Sequence, residues 1–269
     1  MSSYVITGAS RGLGFEFLRQ LSADPSNTVI GLVRGTAATE TKVAELGRKN
    51  IHILKGDLTE YSSLKRAAEE TAKITGGSLD YLIANAAFVS RWSAYDPIGV
   101  LGKDSSKLEE DLKETLNANV VGNVHLFNLF TPLILKGKVK KVISISTGLA
   151  DYELLSKFEI EGGAPYSISK AALNAAVAHF SAQYAKDGVL FISISPGVVE
   201  TGQHANATPE QLQKAMAMGG KFVAYAPHFT GPAQPESSVK DVISVYEKAS
   251  VAAGDGGSFI SHLGNKQWI

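Results

Sequence analysis

Two tyrosine–lysine pairs with a spacing of four stand out in this chain, Tyr61/Lys65 and Tyr166/Lys170. Side chains four apart on a helix share one face, so either pair can set a phenol beside an ammonium group. That pairing suits proton transfer to a substrate oxygen that gains negative charge: a free phenol, with a pKa near ~10, is a poor shuttle at neutral pH, and a nearby cation can move it by ~1 to 3 units. The surroundings of the two pairs differ. Tyr61 follows a short β-branched run, whereas Tyr166 opens a long apolar stretch, preceded by Gly162-Gly163-Ala164-Pro165 and followed by Ser167-Ile168-Ser169-Lys170-Ala171-Ala172-Leu173-Asn174. A second source of chemistry is the run Ile143-Ser144-Ile145-Ser146-Thr147-Gly148, which ends in two adjacent hydroxyls. Neighbours on a strand point to opposite faces, so one of the two reaches a site unless the strand has already ended.

A third feature lies near the start. Thr7-Gly8-Ala9-Ser10-Arg11-Gly12-Leu13-Gly14 follows an apolar strand-like run and leads into Phe15-Glu16-Phe17-Leu18. Gly8, Gly12 and Gly14 allow a tight turn and close approach of the backbone to a pyrophosphate, and the amides of a helix N-terminus face the anion. The context, strand before and helix after, makes this a dinucleotide cradle. The run 28–33 ends at Arg34, where an acid would bond a free ribose 2′-hydroxyl and an arginine pairs with a 2′-phosphate.

These groups need a scaffold. Apolar runs at 4–7, 28–33, 51–54, 79–84, 139–145, 189–195 and 258–260 alternate with amphipathic stretches near 12–23, 37–49, 62–75, 107–135, 165–186 and 237–249. That alternation predicts a parallel sheet covered on both faces. The reading is a single doubly wound Rossmann-type α/β domain over 1–269, with a seven-stranded parallel sheet and right-handed crossovers. Two stretches break the rhythm, 88–104 and 200–236, the latter with a short helical pattern at 209–218 that meets an aromatic cluster through Gly219-Gly220.

Thr-Gly-x-x-x-Gly-x-Gly, Asn85-Ala86-Ala87, an asparagine in Asn117-Ala118-Asn119-Val120-Val121-Gly122, Tyr-x-x-x-Lys and Pro196-Gly197 follow one another in the order of the short-chain dehydrogenase/reductase family. The chain resembles its branch of about 250 residues, which holds fungal and bacterial carbonyl reductases, and the resemblance spans nearly the whole sequence. It implies that Tyr166 donates the proton and that Lys170 holds the nicotinamide ribose and favours phenolate. Asn119 supports a water and a proton relay to the lysine, and Thr147, with Ser146 as the alternative, donates to the substrate carbonyl. It also implies that Asp57, next to Leu58, bonds the adenine amino group. Asn85-Ala86-Ala87 closes over the adenine, with Ala87 where the family has glycine. Pro196-Gly197-Val198-Val199-Glu200-Thr201 lies under the nicotinamide, held by Val199 backbone atoms and the Thr201 hydroxyl. Ser10, Arg11 and Leu13 complete the cradle, and Arg11 with Arg34 points to NADPH/NADP. The activity implied is reduction of a ketone or aldehyde; the alternatives are an NADP-sensing binding protein and an NAD-dependent alcohol dehydrogenase working oxidatively. Family members also form homodimers or homotetramers, which the apolar stretch 173–180 would suit.

Composition narrows the partners. Lys plus Arg and Asp plus Glu number 26 each, so no global field draws the chain to nucleic acid or an anionic membrane. There is no cysteine, hence no disulfide and no thiolate. The six histidines lack metal-ligand spacing, so no metal is expected; His204 and His228 sit in the long insertion, where they could line a pocket. No apolar run approaches the ~18 residues of a membrane span. Tyr4-Val5-Ile6-Thr7 already reads as a strand, leaving no room for an export signal, which predicts a cytoplasmic protein. The insertion reads as a substrate lid bearing Leu212, Met216 and Met218 over a bulky apolar or aromatic carbonyl compound, as in secondary metabolism. The competing reading is that its apolar residues pack onto the body or a second subunit.

Overall fold

The computed structural model describes residues 1–203 and 205–269; the expectation for His204 lies outside the described residues. In chain order the elements are Ser3–Thr7 (β1), Gly12–Leu21 (α1), Thr28–Val33 (β2), Ala37–Ala44 (α2), Ile51–Lys55 (β3), Tyr61–Thr75 (α3), Tyr81–Ala84 (β4), Ile98–Leu101 (α4), Ser105–Leu116 (α5), Gly122–Ile134 (α6), Lys141–Ile145 (β5), Tyr152–Lys157 (α7), Ala164–Tyr184 (α8), Leu190–Ser195 (β6), Pro209–Tyr225 (α9), Pro235–Lys248 (α10) and Phe259–Ser261 (β7).

The seven strands form one parallel sheet in the order β3-β2-β1-β4-β5-β6-β7. The inner strands β1, β2, β4, β5 and β6 are almost entirely buried because both faces of the sheet are covered. On β1, Tyr4 and Ile6 enter the core with Phe17 and Leu18 of α1 and Val242 and Tyr246 of α10. Val5 between them points the other way, into a core built with Leu64 of α3, Phe127 and Phe130 of α6 and Leu173 and Val177 of α8. Alternation of period two thus feeds two cores from one strand. The stretch 173–180 spends Leu173 and Val177 on that second core. After β3 the chain returns to the middle of the sheet, so β1 and β4 are neighbours whose connections leave in opposite directions. This opens a crevice at their C-terminal ends, where the glycine loop and Asn85 lie.

Several boundaries differ from the sequence pattern. The run 79–84 yields strand only from Tyr81, because Asp80 is a staple: its carboxylate accepts from Ser3 N and Lys138 N at 2.9 and 2.8 Å. The stretch 107–135 is not one helix. A π-helical turn, Asn117–Val121, separates α5 from α6. At 209–218 the helix is longer than the pattern, running through Gly219 and Gly220 to Tyr225. Each helical glycine costs roughly 1 kcal/mol, offset here by a capping box between Thr208 and Gln211 and by buried Phe222. The stretches 98–101 and 152–157, too short for a periodic signal, form single helical turns or little more.

Candidate active site

Glycine fits the cradle for steric reasons. Gly8 has φ +70°, and a Cβ on Gly14 would stand 2.2 Å from Gly8 O and 2.6 Å from Asn85 Nδ2. The loop is tied to β4 by Thr7, whose Oγ1 accepts from Asn85 N at 3.0 Å and Ala86 N at 2.9 Å, while Asn85 Nδ2 donates to Thr7 O at 2.9 Å. A cleft of about 630 Å³ runs from this loop. Gly8, Ser10, Arg11, Gly12, Leu13 and Gly14 line it, with Arg34, Asp57 and Leu58 at one side and Asn85, Ala86 and Ala87 at another. Thr201 closes it from across: a Cβ on Gly12 would be 3.4 Å from Thr201 Cγ2. A cradle with no room for a Cβ at Gly14, two exposed arginines and a cleft of this extent fit an extended dinucleotide. Pro196, Gly197 and Val199 do not line the cleft; Pro196 is buried, and Gly197, at φ +81°, packs against the His262 ring.

The catalytic candidates lie beside the cleft rather than in its wall. Gly163, at φ +71°, and Pro165 start α8, which carries both Tyr166 and Lys170. Lys170 is 1% exposed. Its Nζ sits 5.8 Å from the centre of the Tyr166 ring and donates to Ile145 O at 2.7 Å. Burial pushes the Tyr166 phenol up to about 12 and pulls Lys170 down to about 8. Burial sets both directions: the two groups have lost water, and Nζ is turned to the Ile145 carbonyl.

Asn119 joins cleft to helix. Its Oδ1 accepts from Phe88 N at 2.7 Å, and Nδ2 donates to Phe88 O at 2.9 Å and to Ser169 Oγ at 3.0 Å. Ser169 Oγ in turn donates to Tyr166 O at 2.7 Å. Phe88 lines the cleft, so the π turn aims Asn119 to brace the cleft wall against α8. The two adjacent hydroxyls are also distinguished. Ser146 is buried and its Oγ donates to Asn174 Oδ1 at 2.8 Å. Thr147 is partly exposed and beyond the strand, its Oγ1 accepting from Leu149 N at 3.3 Å. Tyr61, by contrast, is 51% exposed at the start of α3 and packs edge-on against His125.

A second, smaller cavity of about 280 Å³ lies between α9 and the segment 94–97, and shares Ala94 and Tyr95 with the cleft. Met218 faces it, whereas Leu212 and Met216 are 42% and 77% exposed. The aromatic residues Phe222, Tyr225 and Phe229 pack on Leu154, Phe158 and Trp268 of the body. Thr7, Asn174, Arg91 and Glu114 belong to the site as well. Thr7 and Asn174 stand inside motifs, but their roles are contacts to distant residues; Arg91 and Glu114 line the cleft from segments without a motif. Among the described residues no cluster of His, Asp or Glu could hold a metal ion, and no helix is long and apolar enough to cross a membrane.

A glycine cradle at the switch point of a parallel sheet, with a buried Tyr–Lys helix beside it, defines a nucleotide-dependent α/β oxidoreductase. The chain belongs to the short-chain dehydrogenase family, whose sequence profile, described as short chain dehydrogenase, matches residues 3–212. It is 62% identical over 271 residues to the short chain dehydrogenase virK of Hypocrea virens, covering 100% of each chain. To the short-chain dehydrogenase/reductase iacC of Pestalotiopsis fici it is 54% identical over 272 residues, again covering 100% of each. Its fold is shared with a carbonyl reductase from chicken fatty liver, at a TM-score of 0.75 over 98% of each chain and 22% identity.

Burial of Lys170 has a consequence for stability. Its folded pKa of about 8 lies below the ordinary 10.5, so between those values the unfolded chain holds a proton that the folded chain has released. The penalty is complete below pH 8 and fades as pH rises towards 10.5. The stability of the unmutated protein relative to Lys170→Met should therefore rise between pH 8 and 10, by up to about 3 kcal/mol at ~1.4 kcal/mol per unit. Urea unfolding of both proteins across that range measures it; a flat difference refutes the assignment.

Proposed function

We propose that this protein reduces a ketone or aldehyde to the alcohol with NADPH, Tyr166 delivering the proton to the carbonyl oxygen. The observation that carries the reading is the half-buried phenol of Tyr166, kept protonated at neutral pH, with the ammonium of Lys170 beneath its ring. Bound NADPH would supply hydride to the carbonyl carbon. Gly8, Gly12 and Gly14 would receive its pyrophosphate, Arg11 and Arg34 its 2′-phosphate, Asp57 and Asn85 to Ala87 the adenosine, Thr201 and Lys170 the nicotinamide end. As negative charge develops on the substrate oxygen, the Tyr166 proton moves to it, and Lys170 stabilises the phenolate left behind. Thr147 is the hydroxyl that donates to the same oxygen, since Ser146 has already committed its proton to Asn174.

Supporting the cofactor choice, Val33-Arg34 presents no carboxylate where a 2′-hydroxyl would be read, and the chicken carbonyl reductase of the same fold is NADPH-bound. The substrate is a largely apolar carbonyl compound whose far end enters the cavity beside Ala94 and Met218. The segment 200–236 closes that side as a lid through Met218 and the Lys214–Asp96 ion pair of 2.7 Å, while its aromatic residues anchor it to the body. Steady-state NADPH oxidation with a panel of aryl and aliphatic ketones and small oxo acids tests this. We expect kcat/KM with NADPH to exceed that with NADH, and Arg34→Ala to narrow the gap by ~1.5 to 3 kcal/mol. Equal efficiency with both cofactors overturns the cofactor assignment; tight NADPH binding without turnover leaves a binding protein.

A further inference from the structure

We propose that Trp268 is a positioning residue for the reaction, bracing the turn that follows Thr147 and tying that turn to the end of α9. The indole is 3% exposed and stacks on Phe259 of β7, ring centres 4.3 Å apart and planes at 18°. Its Nε1–H donates to Asp151 Oδ2 at 2.8 Å. Its main-chain N–H donates to Tyr225 Oη at 3.0 Å, and Tyr225, the last residue of α9, donates to Lys266 O at 3.2 Å.

The turn between these anchors is short. Ala150 N donates to Thr147 O and Asp151 N to Gly148 O, each at 3.0 Å. A Cβ on Gly148 would stand 2.6 Å from Trp268 Cβ and 3.0 Å from its Cγ, so glycine after Thr147 leaves room for the tryptophan side chain to lie against the turn. From the other side Ser167, the neighbour of Tyr166, donates to Leu149 O. Thr147 and Tyr166 are thus joined through a turn clamped by Ser167 on one flank and Trp268 on the other. Asp151 divides its carboxylate, Oδ2 accepting from the indole and Oδ1 from Glu153 N at 2.9 Å at the start of α7. Phenylalanine would meet a packing requirement at 268. The indole adds a charge-assisted, directional bond to the acid that ends the turn.

This inference rests on Thr147 as the donor to the substrate carbonyl, and the test separates the two. Trp268→Phe keeps an aromatic ring against Phe259 and removes the bond to Asp151; Asp151→Asn weakens it from the other side without touching the aromatic cluster. Each should lower kcat about tenfold while KM for NADPH and the dissociation constant of NADP⁺ stay within about twofold, and neither should cost more than about twofold when added to Thr147→Val, because the effect travels through that residue. A folded Trp268→Phe protein with unchanged kcat and only a lower Tm overturns the proposal. If Trp268→Phe does not fold, Asp151→Asn decides by the same criterion. A silent Thr147→Val beside a large loss in Ser146→Ala removes the Thr147 reading instead, and the brace is then upheld or overturned by the kcat of the Trp268→Phe protein alone.

Discussion

Tyr166→Phe should lower kcat by about 10²- to 10⁴-fold, the usual contribution of a positioned acid, with NADP⁺ affinity and Tm close to those of the unmutated protein. The separation of activity from stability follows from the hydroxyl's surroundings. Among the described residues it makes no hydrogen bond, so its removal leaves no buried partner unsatisfied, and the ring that packs over Lys170 is retained. Tyr61→Phe should change kcat by less than about twofold, since Tyr61 sits against His125 on the outside of α3. Initial rates with a fixed ketone, together with fluorescence titration of NADP⁺, would measure both. Full activity in Tyr166→Phe would remove the phenol from the mechanism.

Gly14→Ala should be the most damaging single-methyl change in the dinucleotide cradle. The new Cβ would lie 2.2 Å from Gly8 O and 2.6 Å from Asn85 Nδ2. Neither neighbour is a flexible side-chain end free to swing aside: one is backbone at positive φ, and the other is held by the Thr7 carbonyl. Relief requires α1 to move away from the loop, which costs on the order of 1 to 3 kcal/mol as overpacking. It also misplaces the helix N-terminus, so NADP⁺ affinity should fall by ten- to hundredfold, roughly 1.4 to 2.8 kcal/mol. Gly35→Ala, where nothing lies within 4 Å, is the control and should be near neutral. Retention of normal NADP⁺ affinity in Gly14→Ala would show that the cradle tolerates a wider turn.

What could be read in advance was whatever depended on local pattern. Strands buried on both faces, such as Val29 to Val33 and Phe191 to Ile194, declare themselves by apolar runs with at most a small residue, Gly31 or Ser193, inside them. The glycine loop declares itself because only glycine meets its backbone and spacing demands. Tyr166 could be told from Tyr61 because it opens a long apolar stretch behind Gly162-Gly163-Ala164-Pro165 and falls in the family's order of motifs, whereas Tyr61 follows a short β-branched run. The choice between Ser146 and Thr147 could not be made locally, since it turns on Asn174, 28 residues away, accepting from Ser146. Nor was the role of Met218 separable from that of Met216. They are two positions apart on α9, and only the packing of that helix on 94–97 and 158–162 sends one inward. The π turn left no mark because Leu116 to Ile134 keeps an apolar face with or without an extra residue.

That extra residue constrains how the gene can change. A π turn is an α-helix with one residue inserted, and an α-helix advances by about 100° per residue. Deleting Val120 would let Ser105 to Ile134 heal into a continuous α-helix, with α5 rotated by that angle against α6. Asn119 would then swing off the Phe88 backbone, and Asp111 off Ser93, whose hydroxyl donates to it at 2.7 Å. Point substitutions at the exposed positions of α5 leave the helix register alone, but a three-base deletion anywhere between codons 117 and 121 erases it. Descendants of this sequence are therefore free to drift in composition here and confined in length.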